Sequence, residues 1–259
     1  MTRRQIGEKV DVIILDDHRA VGEQAADLVG GVVTKKLTAV LGFATGTSPL
    51  TTYAALARRV QGGVLDFSAA RGFALDEYFG LAPEHPQSYA AFIRREVIVP
   101  LHMDPTRVLV PDGRIKHPAL AATQYEALIV AAGGIDIQIL GIGSNGHLGF
   151  NEPGSSRQSR TRVAELSPTT RLDNSRFFDS PEAVPTHCIT QGLGTIAEAR
   201  RLVLVACGSA KATAVARALL GPMDDDCPAS VIQLHPDVTI ILDHAAAARL
   251  PAPAAKAFV

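Results

Sequence analysis

The sequence predicts a three-layer Rossmann-like α/β fold, with a mainly parallel central sheet of about seven strands covered by helices on both faces. Three observations carry that expectation. Short apolar runs alternate along the chain with longer amphipathic stretches. Most of the runs are apolar at successive positions, so their strands are expected to be buried on both faces. No linker, repeat or low-complexity tract divides the 259 residues, so a single domain is expected over 1–259.

Each element follows from a local pattern. Val10–Leu15 (VDVIIL) reads as a strand. Residues 19–35 read as a helix, because Ala20, Val21, Ala25, Leu28, Val29 and Val32 recur near the helical period. Residues 37–43 (LTAVLGF) form the next strand and run into Ala44-Thr45-Gly46-Thr47-Ser48-Pro49. Ser48 is expected to cap, and Pro49 to open, a helix reaching about residue 60. A third strand, 71–75, ends at Asp76, and a fourth, 107–110, is followed by the turn residues Pro111-Asp112-Gly113. A helix over 118–132 stops at Gly133-Gly134. Residues 135–142 form a largely apolar strand leading into Gly143-Ser144-Asn145-Gly146-His147. Strands at 202–206 and 238–242, with a helix over 209–220 between them, complete the set. Residues 151–185 are polar and lack a clear period, which predicts an active-site flap around 153–185.

Composition narrows the function. Apolar residues make up 47% and charged residues 20%, which excludes a disordered chain. A formal net charge of −1 gives no general attraction for nucleic acid or an acidic membrane. Cys188, Cys207 and Cys227 lie far apart, without metal or redox spacing, and read as free thiols. The first apolar run is broken by Asp16 and Asp17, far short of a signal or a membrane span. A cytoplasmic location is therefore expected.

In open α/β sheets ligands bind at the carboxyl ends of the strands, and three such loops are unusual. Residues 42–49 place Thr45, Gly46, Thr47 and Ser48 before a helix, which reads either as an anion site or as an ordinary capped turn. Asp76-Glu77 is either a desolvated general base or a cap or surface turn. In residues 141–153 (GIGSNGHLGFNEP), His147 stands five residues before Glu152 in a glycine-rich loop, either a proton-transfer pair or a structural histidine.

These segments, in order, resemble one family. Leu75-Asp76-Glu77-Tyr78, Gly80-Leu81 and 84–89 (EHPQSY) are similar to the MDEYVGL…HPxSY signature of glucosamine-6-phosphate deaminases. Residues 141–153 resemble their GxGxxGHIxFNEP loop, and Ser159-Arg160-Thr161-Arg162, 174–178 (NSRFF) and Gln233-Leu234-His235-Pro236 also match. The correspondence runs from about residue 10 to 250. It implies conversion of glucosamine 6-phosphate and water to fructose 6-phosphate and ammonia. It implies Asp76 as the base that carries the C2 proton toward C1, His147 as the group that assists ring opening, and Glu152 as its orienting partner. Thr45, Gly46, Thr47 and Ser48 would hold the phosphate, with Arg176 and Lys211 as cationic partners. The implied ligand is a small sugar phosphate; no cofactor, metal, nucleic acid or membrane is implied, and a homo-oligomer is left open.

Two departures stand out. Many members carry Asp two residues before the histidine, where this chain has Asn145, which accepts a hydrogen bond but does not ionise. Members activated by N-acetylglucosamine 6-phosphate use a lysine where Ala164 stands and a longer C-terminal tail; Arg162 remains. Weak or absent activation is expected. Three alternatives fit less well. A 6-phosphogluconolactonase lacks the Asn-Glu-Pro found at 151–153. A galactosamine 6-phosphate isomerase differs in an epimer preference that the sequence does not display. A non-catalytic sugar-phosphate sensor would need a DNA-binding segment.

Overall fold

Strand order places the loops that carry the chemistry. A computed structural model describes residues 1–6 and 10–251; the rest of the expected 1–259 domain lies outside the described residues. The main sheet is built from β1 (Thr2–Ile6), β2 (Val10–Leu15), β3 (Val40–Phe43), β4 (Arg71–Ala74), β6 (Val108–Leu109), β7 (Ile137–Leu140), β10 (Leu202–Ala206) and β11 (Val238–Asp243). Their order is β1-β2-β11-β10-β7-β3-β4-β6. β1 runs antiparallel to β2, and every other neighbouring pair is parallel. The parallel strands are the ones their apolar runs predict. β10 and β11 are buried at every position, as strands covered on both faces must be. β1 escapes sequence reading because TRRQI has no apolar run; its positions alternate between half-buried and exposed, the pattern of a sheet edge.

Helices α1 (His18–Lys35), α2 (Leu50–Gln61), α4 (Pro118–Ala131) and α7 (Ala212–Leu220) connect these strands. Asp17 caps α1 by accepting the Ala20 N–H at 2.8 Å. The start of α2 differs from expectation. Pro49 occupies the cap position in a helical conformation with no side-chain cap bond, so Ser48 is not a cap. Its side chain instead borders a cavity. Three strands are also shorter than their apolar runs: β3 begins at Val40, leaving Leu37 exposed; β6 covers Val108–Leu109; and β7 covers Ile137–Leu140. The helix expected over 209–220 opens as a 3-10 turn, Ser209–Lys211, before α7.

Chain direction then fixes the crevice. From β3 the chain proceeds through α2 to β4 on one side, and from β7 to β10 and β11 on the other. The neighbours β3 and β7 therefore form a switch point, where loops diverge and leave a crevice at the carboxyl ends. The loops after β3 and β7 meet there: a side chain at Gly141 would lie 3.5 Å from Ser48 Cβ.

A second sheet overlies this end and was not evident in the sequence. β5 (Asp76–Tyr78) pairs with β9 (His187–Thr190), which pairs with β8 (Arg162–Glu165), both antiparallel. Asp76 thus opens a strand of the second sheet instead of ending one in the first. The segment read as an unpatterned flap contains β8 and helix α5 (Pro168–Ser175), capped by Ser167, whose Oγ accepts the Thr170 N–H. It shares a small core, Leu166 and Val184 packing with Tyr78, Phe150 and Cys188 from outside the segment. Short elements that bury only one side leave a weak period, which is why the sequence shows no elements there.

Candidate active site

Four loops and the overlying segment enclose a cavity of about 310 Å³. Its wall includes Thr45, Gly46, Thr47 and Ser48 after β3, Asp76 after β4, His147 after β7, Lys211 after β10, and Arg176 after α5. Eight of the ten site residues named from sequence thus face one space. Asn145 and Glu152 are absent from the wall and contact His147 from outside it.

The adjacent carboxylates Asp76 and Glu77 have different environments. Alternation along β5 turns them to opposite sides. Asp76 faces the cavity, 3% exposed. Glu77 faces inward and accepts four hydrogen bonds, from the N–H groups of Tyr78, Tyr89 and Ala90 and the Ser88 hydroxyl, at 2.7–2.9 Å. It thereby fixes the start of the short helix α3 (Tyr89–Ile93), so the capping reading applies to Glu77 and not to Asp76. Burial, and next the charge of Glu77, push the Asp76 carboxyl well above its usual range, against one N–H from Phe150. A carboxylate destabilised in this way is a stronger base than a solvated one.

His147 sits in a frame of polar groups. Its Nδ1 lies 3.7 Å from Glu152 Oε2 and 3.5 Å from Thr170 Oγ1. Asn145 ties the frame together: its Nδ2 donates to Glu152 Oε2 at 2.8 Å and its Oδ1 accepts the His147 N–H at 3.1 Å. An aspartate there would retain the acceptor but lose the donor, and would set a second anion beside Glu152. Burial alone would raise the Glu152 carboxyl, but His147, Thr170 and Asn145 outweigh it and hold the group at about 2. The ring has room because residue 143 lacks a side chain: a Cβ there would lie 2.3–2.4 Å from three imidazole atoms. Gly143→Ala is therefore expected to displace the imidazole and lower turnover sharply while circular dichroism stays native.

The other end of the cavity suits an anion. Gly46 adopts φ +84°, which turns the Thr45–Ser48 backbone in a way that side chains disfavour. Burial holds the Lys211 ammonium below its usual range; Asp173 opposes this and Arg176 adds to it. An incoming anion would relieve that repulsion. Arg176 is exposed and stacks over Phe177, with its guanidinium carbon 4.7 Å from the ring centroid.

Several contributors escaped the sequence reading. Thr170 reaches His147 from α5, and Asn174 donates to the Tyr78 hydroxyl at 2.9 Å. Ser144 Oγ donates to Asp173 Oδ2 at 2.9 Å and links the histidine loop to α5. Asn174 and Ser144 stand inside the matched segments 174–178 and 141–153, a signal that was present; Thr170 carried none.

The fold and cavity define a class: an α/β protein of the doubly wound type, with a buried carboxylate, an imidazole and a turn before a helix converging at its switch point. Residues 17–241 match the family model described as glucosamine-6-phosphate isomerases/6-phosphogluconolactonase. The chain is 53% identical over 241 residues to a glucosamine-6-phosphate deaminase of Rhodococcus opacus, covering 93% of both chains. It is 52% identical to one of Cutibacterium acnes, with 93% and 92% covered. A solved monomeric glucosamine-6-phosphate deaminase superposes with a TM-score of 0.90 at 38% identity, covering 92% of this chain and 99% of that one. A 6-phosphogluconolactonase of Leishmania guyanensis shares the fold, with a TM-score of 0.73 at 20% identity over 93% and 98% of the two chains. This chain belongs to the glucosamine-6-phosphate isomerase/6-phosphogluconolactonase family.

Proposed function

We propose that the chain is a glucosamine-6-phosphate deaminase, converting glucosamine 6-phosphate and water to fructose 6-phosphate and ammonia. One observation carries the reading: the Asp76 carboxylate and His147 line a single cavity whose wall also holds the Thr45–Ser48 turn, Arg176 and Lys211. In this reading the turn, Arg176 and Lys211 hold the phosphate, and that remote binding positions the reacting carbons. His147 moves a proton at the ring oxygen as the pyranose opens, held by Glu152 and Asn145. Asp76 then removes the C2 proton and delivers it to C1; one base serves both carbons because they are adjacent on one face. Loss of ammonia at C2, with water supplying the oxygen, gives the ketose. Among the described residues no helix is long and apolar enough to cross a membrane, and a cytoplasmic location accords with that and with the substrate.

The test is release of ammonia and fructose 6-phosphate from glucosamine 6-phosphate, run beside galactosamine 6-phosphate and 6-phosphogluconolactone. Preferred turnover of either competitor overturns the assignment. The same assay checks activation. Arg162 is half-buried and already engaged, donating to Asn151 Oδ1 at 2.7 Å and Ser155 Oγ at 3.0 Å, and Ala164 adds no cation. N-acetylglucosamine 6-phosphate is expected to leave the substrate curve unchanged; conversion of a sigmoidal curve into a hyperbolic one would contradict this.

A further inference from the structure

Among the described residues, one group of three His, Cys or carboxylate side chains brings its ligand atoms together outside the cavity: His18, Cys207 and Asp243, all within 4.8 Å of one another. They stand at the carboxyl ends of three adjacent strands. His18 begins α1 after β2, Cys207 follows β10, and Asp243 ends β11. None of the three lines the cavity.

We propose that His18, Cys207 and Asp243 form a binding site for one zinc-class divalent cation. The donor set selects the class. One imidazole, one thiolate and one carboxylate suit zinc or cobalt, whereas magnesium and calcium require oxygen ligands throughout. The geometry is close to what such an ion needs. His18 Nε2 lies 3.2 Å from Asp243 Oδ2. Two ligands bound tetrahedrally at zinc distances are about 3.3 Å apart. Asp243 is pre-oriented: it accepts the Gly208 N–H at 3.0–3.1 Å and the Ala246 N–H at 2.7 Å. Backbone donors of this kind commonly fix a ligating carboxylate. The His18 side chain is 63% exposed, which gives the ion an entry path and a water in the fourth position.

The ion binds Cys207 as the thiolate, so the thiol gives up its proton. Coordination replaces that proton, which leaves to solvent, and no electron changes hands. Sequence reading finds no metal motif here because the ligands lie in three segments brought together only by the strand order.

The experiment uses the full chain, stripped with a chelator and titrated with cobalt(II). One equivalent should bind and develop a thiolate-to-metal charge-transfer absorption, which zinc(II) then bleaches and magnesium(II) does not. Cys207→Ser should abolish that absorption, and His18→Ala, which removes a direct ligand, should weaken zinc binding by more than the roughly 10–100-fold usual for losing an outer-shell partner. Circular dichroism verifies that both variants fold, and deamination by the metal-free Cys207→Ser protein should be unchanged. Absence of the absorption in the wild-type protein, or its persistence in Cys207→Ser, overturns the proposal; in either case His18 and Asp243 form an ion pair only.

Discussion

Asp76→Asn is expected to lower kcat by about 10²–10⁴-fold, the usual contribution of a general base, and to raise thermal stability at neutral pH. The two effects have one origin. Asp76 is buried beside the anion of Glu77, and both conditions disfavour its charged form. Its folded pKa therefore lies above the unfolded one, so the native state binds the proton more tightly. Stability is greatest where both states are protonated, and it falls as pH rises through the unfolded value of about 3.9 and on to the folded value. At neutral pH, well above the unfolded value, the wild-type chain carries that penalty. Asparagine has nearly the same shape and no charge, so it removes the base and the penalty together. The melting temperature should rise at pH 7, and the gain should vanish below about pH 3. Solvent-proton exchange at C2 of the substrate isolates the catalytic half, and exchange that persists in the variant would remove Asp76 from the role proposed for it.

Glu152→Gln should reduce kcat by about 100-fold, at the lower end of acid–base contributions, with little change in KM. Glu152 does not line the cavity, so it acts through His147 as a positioning residue. Held at about 2, it remains an anion throughout the working range. Removing that anion takes away the partner that orients the imidazole, 3.7 Å from its Nδ1. Glutamine preserves the size of the side chain, which separates charge from packing, and Glu152→Asp should restore part of kcat while KM stays near the wild-type value. The stability effect has the opposite sign to that of Asp76. A depressed folded pKa contributes stability that is present above the unfolded value and lost as pH falls toward about 2. The Gln variant should therefore be less stable than wild type at pH 7 and approach it in strong acid. Near-wild-type kcat in the Gln variant would refute the role of Glu152.

Much of the main sheet was legible because strands buried on both faces are continuously apolar: Val10–Leu15, Leu202–Ala206 and Val238–Asp243 could hardly be anything else. The second sheet was not legible. β5, β8 and β9 are three or four residues long, too short to show a pattern, and the polar composition that suggested a flap also conceals β8. The Ser48 cap failed for a related reason. The local rule was sound, but a helix that opens at Pro49 in a helical conformation leaves the serine hydroxyl at the cavity wall.

By itself the sequence determined the fold class, the family resemblance and the candidate reactive groups, because burial pattern and motif spacing are local properties of the chain. The tertiary structure decided how those groups divide their labour. The strand pleat turned Asp76 to the cavity and Glu77 to a helix start, although the two are chemically alike and adjacent. Chain crossings at β3 and β7 brought the anion-binding turn against the histidine loop. The same strand order gathered His18, Cys207 and Asp243 from positions as far apart as the two ends of the sheet's sequence. Proximity between distant segments is a property of topology, and no local pattern of residues encodes it.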